Sequence, residues 1–176
     1  TNITPKVLAS VFQVSENNPL VGLEERAKLL NELGQALIRH KYMFEFGDAL
    51  RPGNLYDYFL QRQEKGVLAA REILIAILKS MGEIWPDGSW VDSIAIGDAA
   101  YHEAVKRSDI TDRIVPFHKL SQWMSYSLIE PLQLAGIKII HLDALTGLAE
   151  YRNGGLFIDT GTISLRDKTE METLHD

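Results

Sequence analysis

The chain has 176 residues, of which 45% are hydrophobic and 24% charged, which is the size and composition of one globular domain. Its net charge of −6 argues against general binding of nucleic acids or anionic membranes. No apolar run approaches the ~18 residues that a membrane span needs. The absence of cysteine excludes disulfides and thiol catalysis. Because no signal peptide is recognisable either, we expect a cytoplasmic protein.

Helical patterns dominate the first half of the chain. Thr4 followed by Pro5 is typical of a helix start, with Thr4 as the N-cap. Residues 22–40 carry leucine and alanine at helical spacing, with glutamate and lysine on the opposite side, and predict the clearest helix. Similar patterns predict helices over residues 55–65 and 71–81.

The middle of the chain is less regular. Residues 85–89 have the composition of a turn. Residues 90–96 alternate weakly and predict a strand, whereas residues 97–113 allow a short helix flanked by a polar loop. Pro116 then opens a long helix, in which Pro131 predicts a kink or a restart because proline removes a helical hydrogen bond.

The last part of the chain mixes short elements. Residues 138–142 form a short apolar segment, and residues 143–151 predict a helix. Residues 156–160 and 162–166, on either side of Gly161, have the pattern of a small β-hairpin.

These elements together predict a mainly α fold, a multi-helix globular domain with a small C-terminal β-hairpin. We expect a single helical domain over residues 1–167. A polar tail, residues 168–176, is expected to be frayed.

The helix after Pro116 carries an unusual set of polar and aromatic side chains. Trp123 and Tyr126 are suited to stacking on a planar or sugar-like ligand. His118, Lys119 and Gln122 would add hydrogen bonds or charge. A partly buried helix whose polar groups cap neighbouring elements explains the same residues equally well. Its expected apolar stripe consists of Phe117, Leu120, Met124 and Leu128.

Ionisable residues also cluster near the end of the chain. Asp143 and Glu150 could divide acid and base roles if their environments separate their pKa values. Arg152 could neutralise one of them or grip a phosphate, and Asn153 with the following glycines suits a tight turn or an anion site. The plainer alternative is a helix-capping Asp143, a surface Glu150 and an ordinary turn. We expect Asp159 to stabilise the hairpin or to face the same pocket.

Common cofactor and metal motifs are absent from the sequence. The five histidines show no paired metal-ligand spacing, and there is no glycine-rich nucleotide loop. Residues 140–147 are weakly similar to the phosphoribosyl-diphosphate loop of phosphoribosyltransferases, but one of its two adjacent acids is missing. We therefore expect neither a metal nor a cofactor.

Long stretches of the sequence resemble the uracil-catabolism protein family of fungi and bacteria, catalogued as a domain of unknown function. Members of that family carry a substantial N-terminal region that has no counterpart here. Since the chain also begins with Thr1 rather than Met, we expect it to be the C-terminal part of a longer protein. The matching stretches are residues 12–26, 51–59, 84–86, 116–137 and 142–161.

The resemblance implies a role in the ring-opening route of uracil breakdown. Some members are labelled uracil phosphoribosyltransferase, a label that we disfavour because the diphosphate loop is absent. The pathway instead calls for release of urea from a ribosylurea, or its 5′-phosphate, by cleavage of an N-glycosidic bond. The polar helix is also weakly similar to that of queuosine-salvage ribohydrolases. The implied partner is therefore a small nucleoside- or nucleotide-derived substrate.

Under this reading, Asp143 is our first choice for the catalytic carboxylate, followed by Glu150 and then Asp159. The alternative is a non-enzymatic ligand-binding or scaffold protein of the same pathway. A catalytic pocket should enclose its carboxylates, whereas an interface should expose Trp123 and Tyr126. The expected substrate-binding residues are His118, Lys119, Gln122, Trp123, Tyr126, Arg152 and Asn153.

Overall fold

The structure, a computed structural model, describes residues 2–85, 88–148 and 151–166, without the side chain of Tyr151. The chain divides into two compact units, Thr1–Thr146 and Gly147–Asp176. The polar tail expected over residues 168–176 lies outside the described residues. No helix in the described part of the chain is long and apolar enough to cross a membrane.

The first unit is mainly helical, with short strands between the helices. Two 3-10 turns, Pro52–Asn54 and Leu142–Ala144, complete it. Its helices are α1 (Pro5–Val11), α2 (Leu23–Arg39), α3 (Lys41–Phe44), α4 (Leu55–Arg62), α5 (Ala70–Met81) and α6 (Lys119–Leu134). Its strands are β1 (Glu45–Phe46), β2 (Ala49–Leu50), β3 (Val67–Ala69), β4 (Trp90–Val91), β5 (Ile94–Ala95), β6 (Ala100–Tyr101), β7 (Ile114–Val115) and β8 (Lys138–Ile140).

The strands form four separate two-stranded sheets rather than one larger sheet. Three of them are antiparallel pairs of neighbours in sequence, β1–β2, β4–β5 and β6–β7. The fourth, β3–β8, is parallel and joins Leu68 to Ile139 at its centre. Because β3 leads directly into α5 and β8 follows α6, this pair holds the two helices side by side.

The core of the first unit is built around α5. Ile73 and Ile77 on α5 are fully buried, as is Phe59 on α4. Ile137, at the end of α6, completes the same cluster. Helical spacing alone predicted that Ile73 and Ile77 face inward, and the structure confirms it.

The helix start that Thr4 and Pro5 predicted is confirmed, whereas the long helix begins at Lys119 rather than at Pro116. Thr4 caps α1 by accepting a hydrogen bond from the Val7 amide at 3.2 Å, and Pro5 occupies the first turn. The predicted helices near residues 22–40, 55–65 and 71–81 correspond to α2, α4 and α5. The long helix continues through Pro131, so the restart allowed by the sequence does not occur.

The expected apolar stripe of α6 is directed only partly inward: Met124 and Leu128 are half-buried against the core, whereas the most buried positions include small polar residues. Ser121 and Ser125 are fully buried on this helix, and Ser80 is buried on α5, against which α6 packs. Their hydroxyls are satisfied internally, as when Ser125 donates to the Ser121 carbonyl at 2.8 Å. The predicted stripe was wrong at Leu120, which is exposed. Small side chains let the two helix backbones approach closely.

The segment between α5 and α6 differs from both expectations. Residues 90–96 form a tight hairpin, β4–β5, instead of one strand. Asp92 and Ser93 both have positive φ, which is the conformation of a hairpin turn that matches strand twist. Residues 97–113, all of them described, contain no helix. Within this segment, Ala100–Tyr101 form β6, which pairs with β7, Ile114–Val115, just after it.

The helix predicted over residues 143–151 is replaced by the 3-10 turn Leu142–Ala144 in the described residues 143–148. The next residue, Leu145, is extended and buried in the core. An extended residue at this point ends the helical hydrogen-bond pattern. Burial of Leu145 therefore decides the local conformation against the capping role expected for Asp143.

The C-terminal hairpin was also wrong: the second unit contains a helix, α7 (Tyr151–Asp159), within the part predicted as strands. Gly161 has a φ of +70°, and the Thr162 amide donates to the Phe157 carbonyl at 2.8 Å. This is the Schellman arrangement that terminates helices. A glycine with positive φ serves a hairpin turn or a helix end equally well, so local sequence did not separate them.

Asn54 supplies a first test of this fold. It is 2% exposed, and its amide nitrogen donates to the Phe44 carbonyl at 2.8 Å and the Ala49 carbonyl at 2.7 Å. Asn54→Ala should lower the free energy of unfolding by about 2–4 kcal/mol, because two carbonyls lose their donor. Urea denaturation followed by circular dichroism measures this.

Asn18 offers a matched control, since its amide also donates to two backbone carbonyls but at an exposed position. Asn18→Ala should cost less than about 1 kcal/mol, because water replaces the lost donor. An equal loss for the two variants would contradict the role given to the buried asparagine.

Candidate functional site

Asp98 holds the amino end of α6. Its Oδ2 accepts hydrogen bonds from the backbone amides of Leu120 at 2.6 Å and Ser121 at 3.3 Å. Its Oδ1 accepts the Ser121 hydroxyl at 2.5 Å. The first amides of a helix have no partner within the helix, and the positive end of its dipole favours a negative charge. Asp98 thus caps a helix that begins far along the chain.

The same contacts keep this carboxylate ionised. Burial is the largest single influence on the pKa of Asp98 and raises it. The His118 imidazole, the Ser121 hydroxyl and the Leu120 amide act in the opposite direction and together lower the pKa to about 2. Asp98 is therefore negatively charged at every physiological pH.

His118 lies beside this carboxylate. Its Nδ1 is 3.7 Å from Asp98 Oδ1, which is the distance of an ion pair rather than of a hydrogen bond, and the side chains are 16% and 10% exposed. Nδ1 is buried and has no hydrogen-bond partner among the described residues. A φ of +43° places His118 in the left-handed region, immediately before α6. Such strained backbone is found most often where a site requires it.

Gly97 makes room for this pair. It has a φ of +72°, and an added Cβ would lie 3.0 Å from the Leu78 side chain and 3.7 Å from His118 Nδ1. A Cβ here would press on the Leu78 side chain of α5 and would be strained by the positive φ, whereas it would make only ordinary contact with the imidazole. The approach of the loop to the helix therefore depends on glycine.

His118 lines two clefts. The first, of about 520 Å³, lies between the end of α5 and the β4–β5 hairpin and includes Lys79 and Glu83. The second, of about 390 Å³, is lined by the β6–β7 region and includes Arg107 and Thr111. A histidine between two clefts, with a buried carboxylate behind it, has the arrangement of an acid–base pair.

Gln122 and Tyr126 connect α6 to the loop that follows the second 3-10 turn. The Gln122 side-chain amide donates to the Thr146 hydroxyl, and the Tyr126 hydroxyl donates to the Thr146 carbonyl at 3.0 Å. Gln122 Oε1 is buried without a partner in the described part of the chain. Both side chains therefore cap a neighbouring segment, as the plainer reading of this helix expected.

Trp123 lies elsewhere on α6. Its side chain is 56% exposed and lines an apolar groove of about 600 Å³, whereas Tyr126 does not line this groove. The two aromatic residues that the sequence suggested as one pocket wall are thus divided between different surroundings. Lys119 is partly buried at the start of the helix.

The candidate carboxylates belong to different parts of the chain. Asp143 is exposed on the turn Leu142–Ala144, in the same unit as α6. Asp159 is exposed at the end of α7, in the second unit. Glu150 lies outside the described residues. Within the described ranges, no cluster of histidine and acidic residues could hold a metal ion.

Arg152 and Asn153 both lie exposed on α7. Asn153 donates to the Leu148 carbonyl at 3.2 Å, which is a contact within the second unit. Both belong to the second unit, whereas the residues on α6 that were expected to share a ligand with them belong to the first. The candidate site residue that the sequence did not reveal is Asp98, because nothing local marks a capping residue 22 positions before its target.

Comparison with known proteins assigns the family. The chain matches the family described as "Protein of unknown function (DUF1688)" over residues 1–176, and it belongs to that family. It is 39% identical to "Uracil catabolism protein 4" of Lachancea kluyveri over 95% of this chain. It is 35% identical to "Protein urg3" of Schizosaccharomyces pombe over 99% of this chain. No solved structure matches it.

The chain spans about 40% of the length of each of these two relatives. More than half of each relative therefore lies outside the region that is matched here.

The Asp98 cap generates a prediction with a defined pH window. The folded-state pKa of about 2 lies below the ordinary value of 3.8, so the carboxylate stabilises the fold above pH 4 and loses that effect as the pH falls towards 2. Asp98→Asn should lower the free energy of unfolding at pH 7 by about 1–2 kcal/mol, after allowance for solvent screening. This deficit should shrink between pH 4 and pH 2.

Urea denaturation at pH 7, 4 and 2.5 measures the effect. Asp48→Asn is the control, because Asp48 is an exposed carboxylate in the β1–β2 turn. A deficit of Asp98→Asn that stays constant down to pH 2 would show that shape, not charge, matters at this position.

Proposed function

We propose that the full-length protein acts in uracil catabolism and hydrolyses the N-glycosidic bond of a ribosylurea or of its 5′-phosphate. The names of the relatives support the pathway. The observation that carries the reaction type is the pair of His118 and Asp98, an imidazole lining two clefts with an ionised carboxylate 3.7 Å behind it. This pair is suited to moving a proton to or from a bound ligand.

The reaction requires such a group. A bond forms between the oxygen of water and the anomeric carbon while the bond from that carbon to the urea nitrogen breaks. The water gives up one proton, and the leaving urea nitrogen gains one. His118 would take the proton of the water and pass it to the leaving urea nitrogen, and Asp98 would hold the ring in place and balance the charge of the transient imidazolium.

The reaction also needs a carboxylate to stabilise the positive charge of the transition state and a cationic group to bind a 5′-phosphate. An oxocarbenium-like transition state is stabilised by a nearby carboxylate, and Asp143 remains our choice because it shares the unit of α6. Since Asp143 is exposed in this chain, this role requires cover from the rest of the full-length protein. Arg107, which lines the same cleft as His118, is suited to a 5′-phosphate.

A ligand-binding or scaffold role in the same pathway is the second candidate. The exposed indole of Trp123 and the exposed carboxylates of Asp143 and Asp159 favour it, because an interface shows aromatic groups on its surface. Under this alternative, the paired His118 and Asp98 only hold the start of α6.

Release of urea from enzymatically prepared ribosylurea, and from its 5′-phosphate, by the full-length protein tests the proposal. His118→Gln and Asp143→Asn should each lower the rate at least ~100-fold, because each removes a group that acts on the reacting atoms. Asp98→Asn should lower it by about tenfold and change the pH profile, since it acts only through His118.

Asp48→Asn is again the control and should keep the full rate. Normal turnover by His118→Gln would remove the proposed acid–base role, and normal turnover by Asp143→Asn would remove that residue as the carboxylate. Binding of either compound by wild-type protein without urea release would favour the scaffold alternative.

A further inference from the structure

The apolar groove beside Trp123 differs in character from the clefts at His118. It lies between α2, the turn Pro52–Asn54, α5 and α6, and has a volume of about 600 Å³. Leu30, Leu33, Met81, Leu120 and Met124 line it together with Trp123. A groove of this size and composition holds an apolar occupant in preference to a polar one.

Ribosylurea and its phosphate do not fit this groove. Their hydroxyl and ureido groups would be removed from water with almost no hydrogen-bonding side chain to replace it. Among the described residues that line it, Ser127 is the one with a hydroxyl, and that hydroxyl already donates to the Trp123 carbonyl at 2.9 Å. The groove is therefore separate from any site for the polar substrate.

Two observations favour an occupant of this groove in the complete protein. Trp123 and Leu120 expose 56% and 39% of their surface at its edge, on a helix whose opposite side buries Ser121 and Ser125. Trp85, which also lines the groove, has its Nε1 buried without an acceptor among the described residues, which do not include residues 86 and 87. Buried indole N–H groups nearly always have an acceptor, and a segment seated in the groove would supply one.

The part of the protein outside this chain is the occupant that fits these facts. The two relatives are each matched over only 40% of their length, so the larger part of each lies outside the region described here. Contacts between the parts of one chain commonly bury 600–1,500 Å², roughly the scale of an apolar helix seated in a groove. Its backbone carbonyls would supply acceptors for Trp85.

We propose that this groove binds an apolar segment of the full-length protein from outside residues 1–176, with a hydrogen-bond acceptor directed at Trp85 Nε1. The inference goes beyond the reaction proposed above and does not depend on it. Seating this segment would fix α6, and with it His118, against the remainder of the protein.

Hydroxyl-radical footprinting of the full-length protein, read by mass spectrometry, tests the proposal. Trp123 should be oxidised at least about fivefold more slowly in the native protein than in the urea-unfolded protein, because a seated segment excludes water. Trp90 has a similar exposed fraction of 52% outside the groove and gauges an uncovered indole. A Trp123 rate within about twofold of the unfolded protein would overturn the proposal, since an open groove leaves the indole accessible.

Other occupants give different results. Protection of Trp123 that disappears on hundredfold dilution would indicate a second copy of the protein and overturn the proposal. Protection that disappears after unfolding, dialysis and refolding would indicate a small apolar molecule and overturn it as well. Protection that survives both treatments, and that also survives Leu156→Glu combined with Phe157→Glu on the exposed apolar side of α7, supports a segment from outside residues 1–176. Loss of protection in that double variant would assign the groove to α7 and overturn the proposal.

A pair of variants adds an independent readout in the full-length protein. Trp123→Glu places a charge in the groove and should raise the oxidation rate of Met124 several-fold by displacing the segment. Trp90→Glu is the matched control and should leave that rate unchanged. Because both indoles are exposed in this chain, neither substitution removes a core contact. Unchanged Met124 oxidation in Trp123→Glu would overturn the proposal.

Discussion

The amino end of α6 depends on a carboxylate that reaches it from a loop 22 positions earlier. By accepting the Leu120 and Ser121 amides, Asp98 fixes where the helix begins. That start point sets the position of His118 and of the two clefts that this residue lines. It also sets which side of α6 is directed towards α5. This capping contact between distant residues thus determines both the geometry at His118 and the way α6 packs on α5.

The buried side of α6 combines polar and apolar residues. Ser121, Gln122 and Ser125 are buried there together with Leu132, and their hydrogen bonds are largely made within the unit. Leu120 and Trp123 are exposed on the other side. This distribution is consistent with a helix that packs on α5 partly through small residues and presents large apolar residues at its surface.

The helices were predictable because their signals are local. Periodic leucine and isoleucine, the Thr4 cap and the helix-ending glycines all act within a few positions, so α1, α2, α4, α5 and α6 could be placed from the sequence. The short hairpins and α7 could not. Two-residue strands carry too little alternation to recognise, and Gly161 suits a hairpin turn as well as a helix end. The side on which α6 is buried was also not predicted. Serine is normally exposed, whereas Ser121 and Ser125 are buried here because they are small and their hydroxyls have partners.

The sequence by itself determined that the chain is mainly helical and that Gln122 and Tyr126 lie on one helix that begins just after His118, because helical spacing places residues without reference to the rest of the molecule. Only the tertiary structure decided what those side chains meet. It gave His118 the Asp98 carboxylate, assigned Gln122 and Tyr126 to Thr146, and separated Trp123 from them. These partners are distant along the chain, and long-range pairing follows from packing of the whole core rather than from any local pattern.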